Sequence, residues 1–232
     1  MQGLVLALFG ACVGSFTNVV AWRLPRQESV VVPSSHCPRC GHAVRWRDNL
    51  PVFGWLLLLG RCRDCRSPIS VRYPLVEALS AGLWLSAAYV QSSGGGDLPA
   101  AVLPWAGLPL IALLLPLVVI DFDHMWLPEP LCRWGVLVGL AMSATAGVSV
   151  FVQHLIATVL ALLALEGLSA LAERLVGRPV LGLGDAKLAA MGGAWLGIWG
   201  LRCWLVPSLA VWPGSPDAWR RSNRFPSAHS SP

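Results

Sequence analysis

Two aspartates carry the chemistry this chain is best placed to perform. Asp121 opens Asp121-Phe122-Asp123-His124-Met125-Trp126-Leu127-Pro128, directly after the apolar run 108–120. Asp185 closes Gly182-Leu183-Gly184-Asp185, directly before the apolar run 188–200. An ionisable group at membrane depth is costly, so it marks a functional site by default. Two carboxylates that meet in a low-dielectric site share one proton and activate a water for attack on a carbonyl. The plainer reading is two interfacial residues that only end helices. Gly182 and Gly184 would let the backbone bend and bring Asp185 close. Asp123 is the reserve for Asp121, with a solvated interfacial carboxylate as its plainer reading. His124 offers a proton shuttle or another interfacial group. Lys187, the single lysine of the chain, would tune the pair locally or anchor to lipid phosphate. Glu77 and Glu166 lie inside apolar runs, where inward-facing hydrogen bonds are expected rather than catalysis.

A second cluster points to a metal. Cys37, Cys40, Cys62 and Cys65 form two Cys-x-x-Cys pairs separated by 21 residues. Four thiolates fill a closed tetrahedral zinc shell. An insert of roughly 40 residues has little core of its own, so a metal staple is physically useful. Disulfides or free thiols are the rival reading, disfavoured on a reducing face. His36 and His42 flank the first pair as substitute ligands. Cys12, Cys132 and Cys203 sit in or near apolar runs and read as small packing residues.

The elements that must position these groups are membrane spans. Of the 232 residues, 55% are hydrophobic and 12% charged, and mean hydropathy is +0.62. Soluble domains carry roughly 25% charged residues. An all-α polytopic membrane protein is expected, with helices near 2–22, 74–92, 98–120, 131–152, 154–174 and 186–206. The first span begins without a basic leader and is expected to be retained. Net charge is +5, concentrated in segment 23–73, where nine arginines face only Glu28, Asp48 and Asp64. A short loop this rich in Arg marks the cytoplasmic side. Counting spans from there puts both aspartates on that side as well. Topology accounts for the basic cluster, so no nucleic-acid partner is inferred. Several of the twelve tryptophans are expected as interfacial anchors.

Five stretches in order give the chain a family resemblance. They are Gly14-Ser15-Phe16-Thr17-Asn18 through Arg23-Leu24-Pro25, the cysteine module with Arg47-Asp48-Asn49-Leu50-Pro51-Val52, Pro68-Ile69-Ser70-Val71-Arg72-Tyr73-Pro74-Leu75-Val76-Glu77, the Asp121 motif, and Gly182 to Leu188. Together they resemble the bacterial type IV prepilin peptidases, membrane aspartic proteases of the Gly-x-Gly-Asp class. The resemblance implies removal of the leader from type IV prepilins and type II secretion pseudopilins, at the cytoplasmic face of the bacterial inner membrane. It also implies N-methylation of the new terminus with S-adenosylmethionine. In that family the first catalytic Asp lies seven residues before the Pro, which selects Asp121; Asp185 is the second. The implied division is a first helix at 1–22, a four-cysteine module at 23–73 associated with methyl transfer, a peptidase domain at 74–206, and an irregular tail at 207–232.

Departures are few until the C-terminal end. Glu129 stands where the family usually has Asp or Asn, Pro179 near a common Glu, and Arg66 where Gly commonly follows the second Cys pair. The family usually has eight spans; about six are expected here, because 207–232 lacks the apolar length for another. One choice of codons for Ser222–Pro232 reads Gln-Pro-Ile-Pro-Phe-Gly-Pro-Phe-Leu-Ala in a shifted frame, close to the family's usual ending. A frame slip near 200–206 is therefore expected. The alternatives are a truncated, inactive scaffold form of such an enzyme, or a transporter using the aspartates as a proton relay. The relay predicts no cysteine module. A preflagellin peptidase is disfavoured because those usually lack that module.

Overall fold

In lipid, a backbone can satisfy its own N–H and C=O groups within one segment only as a helix, and these apolar runs take that form. The computed structural model describes residues 2–92, 107–177 and 183–210. In chain order they form α1 (Gln2–Arg23), a 3-10 turn at Leu24–Arg26, α2 (Phe53–Leu57), α3 (Arg72–Ser92), α4 (Gly107–His124), α5 (Glu129–Thr145), α6 (Val148–Val176) and α7 (Leu183–Ala210). No strand occurs among the described residues beyond two isolated bridges, His36 with Ala43 and Arg61 with Pro68. Among the described residues, three helical segments are long and apolar enough to cross a membrane: Gly3–Arg26, Gly107–His124 and Val148–Val176. Helices α3, α5 and α7 coincide with the other three expected spans.

Some boundaries differ from the sequence expectation. The expected span 131–152 stops at Thr145, and α6 begins at Val148. Hydropathy is continuous there, so it could not show the break, which Gly147 makes at φ 117. Helix α4 continues through Asp121 and Asp123 to His124, which puts both carboxylates in its last turn. Helix α7 carries on through 207–210, whose Ser-Leu-Ala run tolerates a helix; the expected tail beyond it, and Cys203's side chain, lie outside the described residues.

Small residues let the helices close. A Cβ on Gly10 would lie 2.8 Å from the Trp84 side chain, and one on Gly14 2.7 Å from the Glu77 Cα. This Gly-x-x-x-Gly stripe seats α1 on α3. Gly135 and Gly139 of α5 meet Met191 and Trp195 of α7, and the Trp195 indole N–H donates to the Gly135 carbonyl at 2.8 Å. Buried His154 of α6 lies with Nδ1 2.8 Å from the Ala194 carbonyl, just before the point where Gly197 kinks α7. Glu77 is buried and accepts the Val52 N–H, as expected. Glu166 is not turned inward. The buried stripe of α6 runs His154, Ala157, Thr158, Ala161, Leu165, and Glu166 sits one residue off it, exposed.

Candidate functional site

The aspartate-bearing ends are brought together by contacts that can be followed residue by residue. Arg72, which opens α3, forms an ion pair with Asp123 in the last turn of α4. The chain then turns: Met125 donates its N–H to the Asp121 carbonyl at 2.8 Å and takes a left-handed φ of 49. Leu127 packs against Gly184, where a Cβ would lie 3.1 Å from the leucine Cβ. Pro128 is buried, and Glu129 starts α5. The Glu129 carboxylate accepts from Arg133 at 2.7 Å and pairs with Lys187 of α7 at 3.0 Å. The last turn of α4, the start of α5 and the first turn of α7 thus lie at one end of the bundle. The start of α3 joins them through Arg72.

Asp185 falls in the first turn of α7, where the helix dipole favours a negative charge. It and Asp121 are both exposed. Neither has an ion-pair or hydrogen-bonded side-chain partner among the described residues, whereas Asp123 is taken up by Arg72. Gly184 is helical, so its contribution is close approach to Leu127 rather than the bend expected of it. Gly182 lies outside the described residues. His124 is exposed at the end of α4.

The cysteine module is built from two matching turns. Cys37 donates its N–H to His42 and accepts from Gly41, at 2.9 Å each. Cys62 likewise donates to Ser67 at 2.8 Å and accepts from Arg66 at 3.0 Å. Both turns need a left-handed residue after the second cysteine, and they hold Gly41 at φ 73 and Arg66 at φ 58. Arg63 grips Asp48 with two N–H groups, which holds that carboxyl below its usual range. The four Sγ atoms all lie within 4.8 Å of one another, with Cys37–Cys65 at 3.8 Å and Cys40–Cys62 at 4.0 Å. A tetrahedral zinc with bonds of ~2.3 Å needs sulfur–sulfur edges of ~3.8 Å, so the cage fits that ion.

The protonation chemistry of the cage agrees. Backbone N–H groups of Cys40 and Arg39 bring the Cys37 thiol down to about 6. Cys40, despite the His42 N–H, is pushed up to about 12 by burial and the neighbouring thiols. The Ser67 hydroxyl and N–H likewise hold the Cys65 thiol below its ordinary range, whereas Cys40 gives up its proton only against a cation. None of the six described cysteines forms a disulfide, and neither His36 nor His42 belongs to the cluster.

Arg66 carries a side chain in a conformation that costs an L-residue ~1–2 kcal/mol. Arg66→Gly is therefore expected to stabilise the module by ~1 kcal/mol. The check is slower zinc release to a chelator than from the wild-type chain.

Fold and site together define a polytopic helical membrane protein with a four-thiol cluster that could hold a metal ion and two aspartates that lack side-chain partners among the described residues. Residues 8–91 match the family model described as Bacterial Peptidase A24 N-terminal domain, and residues 108–212 match the Type IV leader peptidase family. The chain is 41% identical over 191 residues to the prepilin leader peptidase/N-methyltransferase of Myxococcus xanthus (strain DK1622), covering 82% of this chain and 55% of that relative. It is 37% identical over 207 residues to the type 4 prepilin-like proteins leader peptide-processing enzyme of Escherichia coli O78:H11, covering 81% and 74%. It is 37% identical over 203 residues to the prepilin leader peptidase/N-methyltransferase of Klebsiella pneumoniae, covering 85% and 86%. No solved structure matches the chain. The chain belongs to the type IV leader peptidase family, and it spans about half the length of the Myxococcus relative.

Proposed function

We propose that this chain is a membrane aspartic endopeptidase of the bacterial inner membrane. It removes the leader from type IV prepilins and type II secretion pseudopilins at the cytoplasmic face and then N-methylates the new terminus. The observation that carries the reading is the pair Asp121 and Asp185. Both stand exposed, without side-chain partners among the described residues, on helix ends that Leu127–Gly184 packing and the Glu129–Lys187 bridge hold together. The arginines of 23–73 support the cytoplasmic side for that end.

In this mechanism one carboxylate is ionised and takes a proton from the attacking water. Its protonated partner polarises the scissile carbonyl, and the roles exchange to protonate the leaving amine. Cys37, Cys40, Cys62 and Cys65 hold a structural zinc, which closes the module and leaves no open position for a reactant. S-adenosylmethionine supplies the methyl group. The direct test is cleavage of a leader-bearing prepilin by this chain in membranes, with Asp185→Ala as control. Cleavage in the control sinks the assignment, and so does absence of cleavage in both.

Lys187 and Asp185 are two residues apart, so they leave α7 on different faces. By pinning Lys187 to α5, Glu129 fixes the rotation of the turn that carries Asp185. Glu129→Gln is expected to lower cleavage about threefold to fivefold, mainly in kcat, the rate equivalent of an exposed ion pair worth under ~1 kcal/mol. Lys187→Met should do the same, and the double variant should be no worse. Additive losses would separate the two residues.

A further inference from the structure

A cavity of about 550 Å³ lies apart from the aspartates, where the cysteine module folds back on α1 and α3. Its wall includes Asn18 and Val19 of α1, Trp55 of the module, and Tyr73 and Glu77 of α3. Small-molecule sites typically fall between ~300 and ~1,000 Å³. Glu77 is a carboxylate only 7% exposed, and its partners are neutral: the Val52 N–H at 2.6 Å and the Ser15 side chain. A buried carboxylate without a cation is costly. Val52 adds a second anomaly. It is β-branched, yet it stands at φ 62, ψ −52, a conformation that persists only where surroundings force it and that gathers at functional sites. Position is the third observation. Glu77 lies five residues along α3 from Arg72, about 7.5 Å of helix rise, and Arg72 holds Asp123 beside the proteolytic end.

We propose that this cavity receives the amino terminus freed by cleavage, with Glu77 as the group that binds the amine and takes its proton. The inference rests on the reading of the chain as both peptidase and N-methyltransferase. The bound ammonium gives one proton to the Glu77 carboxylate. The neutral nitrogen then attacks the methyl carbon of the sulfonium donor. The carbon–sulfur bond breaks with its electron pair returning to sulfur, leaving a thioether and a methylated ammonium. Glu77 returns its proton to water at the cavity mouth. Trp55 and Tyr73 are among the lining residues, and aromatic rings suit a sulfonium cation.

The test uses the full chain in detergent with a leader-bearing prepilin peptide and S-adenosylmethionine, reading cleavage and terminal methylation separately by mass. Binding of S-adenosylhomocysteine is measured alongside by calorimetry. Glu77→Gln is expected to keep leader cleavage and S-adenosylhomocysteine binding while methylation falls about a hundredfold or more. Val19→Trp enlarges a side chain in the α1 wall of the cavity that takes no part in the Glu77–Val52 bond. It is expected to lose S-adenosylhomocysteine binding and keep cleavage. Methylation by Glu77→Gln at the wild-type rate, or undiminished binding by Val19→Trp, overturns the site while the bifunctional reading stands. A wild-type chain that cleaves but neither methylates nor binds overturns both. If Glu77→Gln does not accumulate, the Val19→Trp binding result decides.

Discussion

Asp121→Asn will reduce prepilin leader cleavage by about a thousandfold or more, while Asp123→Asn will change it only a few-fold. The first figure follows from removing an acid–base group, typically worth ~10²–10⁴ in rate, from a pair in which each member serves both half-steps. Asn matches Asp in size, and Asp121 is exposed with no side-chain partner among the described residues to lose, so the fold gives no reason for the variant to fail. Asp123 is different because its carboxylate is committed to Arg72. Losing an exposed ion pair costs up to ~1 kcal/mol, and Arg72 has solvent to turn to. Asp185→Asn should match Asp121→Asn, and the double variant should be no slower than either, since a unit cannot be broken twice. The measurement is the rate at which leader-bearing prepilin converts to the shorter form in membranes. An active Asp121→Asn with an inactive Asp123→Asn would move the first catalytic role two residues along.

The distinction between these two carboxylates was only partly legible in the sequence. Spacing from Pro128 selected Asp121, but spacing has no access to what each side chain touches. Arg72 is 51 positions away in the chain and reaches Asp123 only after α3 and α4 pack. The pairing of Lys187 with Glu129 was hidden for the same reason. Apolar length found the helices well, because backbone satisfaction in lipid depends on local composition. It failed at Gly147, where an apolar stretch bends on one residue's conformation. It failed again at Glu166, whose facing depends on which side of α6 meets α7. The cysteine cage was the most legible feature, since two Cys-x-x-Cys pairs nearly dictate their geometry. Even there the strain at Arg66 could be expected from a missing glycine and was found as a positive φ.

Cys62→Ser will unfold the module rather than loosen it. Cys62 is the buried member of the cage, and its N–H and C=O close the second turn against Ser67 and Arg66. A serine hydroxyl does not deprotonate to bind a soft cation as a thiolate does, so the shell falls to three ligands. Structural zinc in small modules contributes ~10–16 kcal/mol of apparent binding energy that is also folding energy. The module's other side-chain ties are single hydrogen bonds and ion pairs, among them Asp48–Arg63, Arg45–Asp64, the Trp55 N–H to the Ile69 carbonyl, Arg23 to the Ser29 carbonyl and the Val52–Glu77 bond. Those cannot make up a loss of that size. Zinc content of the purified chain should drop from one ion to none, and protease nicking between Arg39 and Arg66 should appear within minutes where the wild type resists. Helices α4 to α7 do not pass through the module, so they should remain folded. Full zinc occupancy and wild-type protease resistance in Cys62→Ser would mean that the cage is not what holds the module closed.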